Sequence, residues 1–164
     1  MDRKGAKALT EQEFLEHIQQ LKARLYRTAL LYLGGEAAAL DAVDEAVYRA
    51  FLSRKKLRQP DFFTTWITRI LMNVCNSELR RRKREPAMAE LPDTAVEQFD
   101  ALPLRDAVER LPRDLRAVVV LRYFSGYTLS ETAAALDLPP GTVSTRQRKA
   151  LSLLRLELGD EKEV

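Results

Sequence analysis

The stretch from Thr128 to Leu158 limits the fold most, because it predicts two helices joined by a tight corner. Thr128 and Glu131 have the spacing of a capping box, in which the hydroxyl and the carboxylate each bond a backbone N–H at the helix start. Pro139 and Pro140 then end the first helix and open the second, because proline suits a first helical turn but not a helix interior. The pattern therefore predicts a compact pair of helices near the C-terminus.

The second helix of this pair has an apolar face and a polar face. At about 100° per residue, one side holds Val143, Ala150, Leu151 and Leu154. The other side suits a DNA major groove, because hydroxyls and N-terminal amides can hold phosphates while long cations reach guanine edges. The residues predicted to bind duplex DNA are Thr142, Ser144, Thr145, Arg146, Arg148 and Lys149. From this pattern alone, an ordinary αα-hairpin with a solvated basic face stays open.

An acidic stripe marks an earlier helix, which is predicted from about residue 37 to residue 53. Its members recur at i, i+3, i+4 and i+7, so they lie on one side of the helix; they are Asp41, Asp44, Glu45 and Tyr48. Three carboxylates so close together repel one another unless water or cations surround them. The stripe is either a solvated face or a docking surface for a basic partner.

A basic loop with two phenylalanines leads into a third long helix, predicted from Thr64 to about Lys83. A displaced DNA strand needs cations for its phosphates and rings or amides for its unstacked bases. The candidates for strand binding are Lys55, Lys56, Arg58, Phe62, Phe63, Thr65, Arg69, Asn73, Asn76 and Arg80, and Met72 falls in the same strip of the helix. Core packing is an open alternative for the two phenylalanines and is the favoured interpretation for Trp66.

Charge is distributed unevenly along the 164 residues, although the net charge is only +3. Residues 1–84 hold 17 basic and 10 acidic side chains, whereas residues 85–103 hold five acids, three prolines and no base. So long a segment without periodicity is unusual inside one compact domain, and we interpret it as a flexible acidic linker. The expected fold is all-α, with two small helical domains, residues 1–84 and 104–164, and a helix-turn-helix in the second.

Composition excludes several classes of function. Cys75 is the only cysteine, which precludes an internal disulfide and fits a reducing compartment. His17 is the only histidine, so a His/Cys metal site is not expected. The N-terminus lacks the apolar core of a signal peptide, and no apolar run reaches membrane-spanning length. With no recognisable nucleophile–base or paired-carboxylate motif, we expect a cytoplasmic protein that is not an enzyme and uses no cofactor, metal or small-molecule substrate.

Three segments resemble, in the expected order, bacterial sigma factors of the extracytoplasmic-function (ECF) group. Residues 141–146 resemble the Gly-Thr-Val-x-Ser-Arg stretch of the DNA-binding domain, and residues 39–45 resemble the Ala-Glu-Asp-x-x-Gln-Glu stretch that docks on polymerase. Residues 63–73 resemble the Phe-x-x-Trp-Leu-x-x-Ile-x-x-Asn stretch. Asp137 departs from the usual corner Gly, and Gln147 departs from a usual aliphatic residue.

The resemblance implies a protein that lends promoter specificity to core RNA polymerase, through the β and β′ subunits. It implies that the acidic stripe docks on the β′ clamp helices, that the third helix and its loop capture the melted −10 strand, and that the last helix reads the −35 element. Anti-sigma factors, often membrane-anchored, commonly hold such proteins, so one is an implied partner here.

Two rival functions stay open on the residues alone. A dimeric helix-turn-helix repressor would leave the acidic linker and the basic loop without a purpose. A helical adaptor that binds only proteins would leave the hydroxyls and cations of the last helix unexplained.

Overall fold

The computed structural model describes residues 8–84 and 102–160, and these residues form helices with no β-strand among them. The predicted linker therefore lies outside the described residues, except for its last two. Those two, Leu102 and Pro103, belong to the first turn of a helix, where proline is well tolerated.

The N-terminal group consists of α1 (Glu11–Leu33), α2 (Glu36–Ser53) and α3 (Phe63–Arg84). The Thr10 hydroxyl caps α1 by accepting the Glu13 N–H at 3.2 Å. Gly34 ends α1 in the left-handed conformation, with φ of 83°, which glycine adopts without a steric penalty. Two short 3₁₀ turns, Arg54–Lys56 and Pro60–Phe62, form the connection between α2 and α3.

The C-terminal group consists of α4 (Leu102–Arg110), α5 (Arg113–Val119), α6 (Leu129–Leu136) and α7 (Pro140–Asp160). α5 continues directly into Val120–Phe124, which is a π-helical turn. The Ser125 N–H donates to the Val120 carbonyl at 2.9 Å, five residues earlier.

The predicted corner of the helix-turn-helix is confirmed. Both bonds of the capping box at Thr128 and Glu131 form, at 3.0 and 3.1 Å. Asp137 ends α6 in the left-handed conformation, with φ of 55°, which aspartate tolerates better than most residues. The Leu138 N–H then donates back to the Ala133 carbonyl at 2.9 Å, which closes the helix end.

The two groups of helices pack directly against each other. One buried cluster joins the N-terminal core to Ala117, Leu121, Tyr127 and Ala135 of the C-terminal group. A second cluster, built from α4, α5 and α7, takes in Leu31 of α1. The hydrophobic cores of the two groups are therefore continuous across their interface.

Candidate nucleic-acid interface

The polar face of α7 points away from the core, as the sequence predicts. Val143, Ala150 and Leu154 are buried beneath it. Thr145, Arg148 and Lys149 are exposed, while Thr142, Ser144 and Arg146 are partly exposed. Two members have partners: the Thr145 hydroxyl donates to the Gly141 carbonyl at 3.0 Å, and Arg146 lies 3.9 Å from the Asp114 carboxylate. Arg148 and Lys149 are thus the long cations most open to a DNA groove.

Arg122 is a cation beside α7 that the sequence did not reveal. Its Nε donates to Gln147 Oε1 at 3.0 Å and its Nη1 to the Tyr127 carbonyl at 2.9 Å. These bonds fix the guanidinium next to α7. In the sequence, only Gln147 indicates this arrangement. The aliphatic residue that is usual at this position in the family could not accept a hydrogen bond from Arg122.

The acidic stripe of α2 is a continuous exposed surface. Asp41, Asp44, Glu45 and Tyr48 are all exposed, and Tyr48 retains 60% of its accessible area. Glu45 accepts a hydrogen bond from Arg49 at 2.7 Å, so one of the three carboxylates in the stripe has a cationic partner on the same helix. Leu40 and Leu52 are also exposed on this helix, which adds apolar area to the charged stripe.

The loop before α3 presents its basic residues to solvent. Lys55, Lys56 and Arg58 are exposed, and Leu57 between them is buried. Leu57 therefore anchors the loop while the cations project outward. Phe62, four positions after Arg58 in the chain, is 56% exposed, so its ring is accessible to solvent.

Phe63 does not fit its predicted place among the strand-binding residues. Its side chain is 1% exposed and lies edge-on to Phe14, with ring centroids 5.6 Å apart. His17 stacks on it at 4.7 Å, and Trp66 packs at 5.8 Å. Core packing explains Phe63 fully, because the first turn of α3 faces α1.

The polar strip of α3 is only partly open. Asn73 and Arg80 are exposed and Thr65 is partly exposed. Asn76 is half-buried, and its Oδ1 accepts a bond from the Tyr32 hydroxyl at 2.5 Å. Met72 is 2% exposed, so the structure contradicts its predicted position on the polar strip. Arg69 remains on the surface, but it is bonded to the C-terminal group of helices.

Burial and hydrogen bonding shift several titrating groups on and near α3. Burial raises the pKa of the Cys75 thiol to about 12 and that of the Tyr32 phenol to about 12. A hydrogen bond from Arg81 lowers the pKa of the Glu78 carboxyl. Glu78 therefore stays ionised and holds Arg81 at 2.8 Å and Arg82 at 3.4 Å, which orders the basic end of α3.

Neither a metal site nor a membrane span emerges from the described residues. Within 8–84 and 102–160, no group of three or more His, Cys, Asp or Glu side chains could hold a metal ion. In the same ranges, every helix is too short or too polar to cross a bilayer.

Two family models match this chain in separate halves. Sigma-70 region 2 matches residues 17–85, and Sigma-70, region 4 matches residues 107–156. The first match covers α2, the basic loop and α3. The second covers the helix-turn-helix.

Known sigma factors resemble the chain over most of its length. It is 30% identical over 160 residues to the ECF RNA polymerase sigma factor SigM of Mycobacterium tuberculosis, covering 94% of this chain and 80% of that protein. It is 32% identical over 152 residues to the RNA polymerase sigma-E factor of Streptomyces coelicolor, covering 89% and 86%. It is 29% identical over 145 residues to SigV of Bacillus subtilis, covering 85% and 87%.

Two solved structures share the fold. The sigma factor RpoE from Bartonella quintana, in complex with the anti-sigma factor NepR, has a TM-score of 0.77 at 20% identity, covering 90% of this chain and 98% of that one. CnrH, in complex with the cytosolic domain of CnrY, has a TM-score of 0.73 at 21% identity, covering 93% and 92%. At such identities the likeness concerns the fold alone. With both regions matched in order and full-length relatives at 30% identity or more, the chain belongs to the ECF sigma factors, which direct RNA polymerase to promoters.

Proposed function

We propose that this chain acts in the cytoplasm, where it joins core RNA polymerase and brings it to promoters through three separate surfaces. Its α7 face reads the −35 duplex, its basic loop and α3 strip hold the melted −10 strand, and its α2 stripe docks on polymerase. The division of labour follows the domains predicted from sequence, residues 1–84 and 104–164. The chain performs no catalysis in this scheme, because the β and β′ subunits supply the chemistry.

The observation that carries the proposal is the exposed hydroxyl and basic face of α7. Arg148 and Lys149 project from a helix whose opposite side is fixed in the core by Val143 and Ala150. A rigid helix with free cations on one face can enter a major groove, and a bidentate Arg contact to guanine contributes about 1–3 kcal/mol of discrimination. An adaptor that binds only proteins has no use for this arrangement.

The stripe on α2 supports the docking assignment. Its three carboxylates and Tyr48 are exposed, with Leu40 and Leu52 adding apolar area on the same helix. Tyrosine is enriched in protein interfaces relative to the rest of the surface, so the 60% exposure of Tyr48 beside the carboxylates supports docking. We assign the partner of this surface to a basic region of the polymerase β′ subunit.

An anti-sigma factor is the proposed regulator. The proteins of similar fold, RpoE and CnrH, were solved with NepR and with the cytosolic domain of CnrY. We extend this kind of partner to the present chain. A membrane-anchored anti-sigma factor would hold the chain away from polymerase until a signal releases it.

The test is transcription by core polymerase on a library of promoter fragments, with and without this protein. Specific new transcripts are expected only when the protein is present. A dimeric repressor would bind DNA but would give no transcripts with core polymerase, and an adaptor would do neither. Absence of any specific transcript from a folded protein would reject the proposed function.

A matched pair of variants tests the docking surface. Asp41→Lys with Glu45→Lys should weaken association with core polymerase, because desolvated interface charges contribute more than exposed ones. The control is Glu16→Lys with Asp106→Lys, which changes net charge equally at exposed carboxylates on α1 and α4. Equal affinity of the two double variants, measured by competition for core polymerase, would reject α2 as the docking surface.

A further inference from the structure

A basic cleft lies between the end of α3 and the start of α5. The space within it is about 570 Å³, and the residues that line it are Leu79, Arg82, Lys83, Arg113, Asp114 and Arg116. Four of these side chains are cations and one is a carboxylate, so the lining carries a formal excess of positive charge. None of the four cations belongs to the residues that we assign to polymerase or DNA.

Two of the four cations are held in place by the end of α1. Arg82 Nη1 donates to the Leu33 carbonyl at 2.8 Å, and Arg116 Nη1 donates to the Tyr32 carbonyl at 2.8 Å. The last carbonyls of a helix lack helical partners, so they are available to accept these bonds. Both guanidinium groups are partly buried and are therefore fixed before any ligand arrives.

The negative charge around these two arginines does not balance them. Among the residues that the structure describes, Arg116 makes no ion pair with a carboxylate, and its Nε is a buried donor without a hydrogen-bond partner. Arg82 shares the Glu78 carboxylate with Arg81. The carbonyls at the end of a helix offset only about half a charge. The cleft therefore retains positive charge that no group around it neutralises.

The electrostatic environment of Arg116 agrees with this imbalance. Burial lowers the pKa of its guanidinium, and Tyr32 and Glu109 partly oppose that effect. The charges of Arg113 and Arg82 lower the pKa further. Like charges that influence one another in this way are stabilised when an anion lies among them.

The other two cations of the cleft have no partner that would compete with a ligand. Lys83 and Arg113 are exposed, and within residues 8–84 and 102–160 neither side chain makes an ion pair or a hydrogen bond. The Asp114 carboxylate lies 3.9 Å from Arg146 on α7, so part of its charge is directed to another cation. An incoming anion would thus meet two fixed guanidinium groups and two free cations.

We propose that this cleft binds a small compound with two or more adjacent phosphate groups. Guanidinium groups hold phosphate oxygens in a bidentate way, and lysine holds them as a point charge. Leu79 is the only apolar side chain in the lining, so most of the binding energy has to come from charge. The volume lies within the range of small-molecule sites, about 300–1,000 Å³. A DNA backbone needs cations in a row along a groove, whereas these cations converge on one cleft from two helices.

Isothermal titration calorimetry of the full chain with sodium tripolyphosphate, at constant ionic strength, tests the site. Lys83→Ala and Arg113→Ala should each weaken binding about tenfold, because a hydrogen bond to a charged group contributes about a decade of affinity. Both side chains are exposed, so the variants should fold, which circular dichroism checks. The controls are Lys22→Ala and Arg155→Ala, which remove exposed cations outside the cleft and should bind like wild type. Equal affinity of the cleft and control variants would overturn the proposal.

Thermal unfolding gives a second measurement and tests the class of ligand. A ligand that binds the folded chain raises its melting temperature with concentration, so tripolyphosphate should raise that of wild type more than that of the two cleft variants. Citrate is also a polyanion, but its charges are carboxylates, and it should give a much smaller rise. An equal rise with citrate would overturn the assignment to phosphate compounds.

A short DNA duplex without a promoter sequence separates a small ligand from the phosphates of DNA. By fluorescence anisotropy, Lys83→Ala and Arg113→Ala should bind this duplex no more weakly than Lys22→Ala and Arg155→Ala do. A larger loss of duplex affinity in the cleft variants would assign these cations to the DNA backbone and overturn the proposal.

Discussion

The two long helices that we propose as nucleic-acid contacts, α3 and α7, differ in what covers them. Both bury one side in their own group of helices and present a polar strip on the other. On α7, Thr145, Arg148 and Lys149 are exposed, whereas Arg69 on α3 is bonded to Ala134 and Met72 is buried. The long cations of α7 are therefore accessible to solvent, whereas the polar strip of α3 is partly covered by α6.

A helical sequence pattern identifies the side of a helix that faces away from its own core. The pattern does not identify which other helices pack on that side. In α7 the side predicted to be polar is also the accessible side, because Thr145, Arg148 and Lys149 are all exposed. In α3 the polar side and the accessible side differ, because α6 comes from more than 60 residues away along the chain, as the Arg69–Ala134 separation of 65 positions shows.

The largest expected change is a loss of folding stability at Phe63, on the side of α3 that faces α1. Phe63→Ala should lower the free energy of unfolding by about 3–5 kcal/mol, because it deletes a buried ring that contacts Phe14 and Trp66. Urea unfolding followed by circular dichroism measures it. If Phe63→Ala left stability unchanged but impaired promoter opening, the division between buried and DNA-facing residues on this helix would be wrong.

The neighbouring Phe62 should show the opposite behaviour. Phe62→Ala should leave the free energy of unfolding nearly unchanged, because the ring is largely exposed, but it should weaken promoter opening by about 1–3 kcal/mol, the contribution of one stacked base. A fluorescent base analogue in the −10 non-template strand reports the opening. A premelted bubble template should restore transcription at least partly. Normal opening of duplex DNA by this variant would remove Phe62 from the strand site.

The next largest effects are expected for substitutions of the exposed cations of α7, which should alter promoter recognition. Arg148→Ala should remove a contact to a base edge. The loss should weaken binding to the cognate promoter by about 1–3 kcal/mol, relax the preference at one base pair and lower transcription from that promoter. Lys149→Ala should weaken binding to all sequences alike and lower the salt dependence, as a phosphate contact does. Arg155→Ala, an exposed cation further along α7, is the control. Wild-type transcription and promoter preference in both test variants would show that α7 is not the reader.

The smallest expected change near neutral pH is in the pH dependence of stability, and it arises from Cys75 on the buried side of α3. Burial raises the pKa of this thiol from 9.0 to about 12, so the folded state favours the protonated form. Its contribution to stability is fully present below pH 9 and is lost as the pH rises towards 12. The free energy of unfolding should therefore fall more steeply over this range in wild type than in Cys75→Ala.

Alkylation of the thiol gives a second measurement on Cys75. Iodoacetamide should label native protein at about pH 8 far more slowly than it labels urea-unfolded protein, because only the thiolate reacts and the native site is closed to solvent. Rapid labelling of the native protein would contradict the buried position.

Much of this structure follows from local sequence. Thr128 with Glu131, and Pro139 with Pro140, predict the corner because capping and proline chemistry act within a few residues. Val143 and Ala150 predict the inner side of α7 because helical periodicity repeats regularly. The exposed stripe on α2 follows from the same rule.

Other features depend on contacts that local patterns do not encode. Phe62 and Phe63 are adjacent aromatic residues in one loop, and only the direction in which α3 starts decides that Phe63 meets Phe14. Arg69 and Arg148 look alike in sequence, but Arg69 lies under the end of α6. Arg122 could be recognised as a fixed cation only once Gln147 was seen to accept its bond.

The position of Leu31 has a practical consequence for dissecting this chain into fragments. Leu31 belongs to α1, but it is buried in the cluster of α4, α5 and α7. Fully burying a leucine side chain contributes about 1.5–3 kcal/mol, so a fragment that ends at Arg84 loses this contribution and gains an apolar surface prone to self-association. A soluble N-terminal fragment therefore needs a polar replacement at Leu31, or co-expression with the C-terminal half to keep the side chain covered.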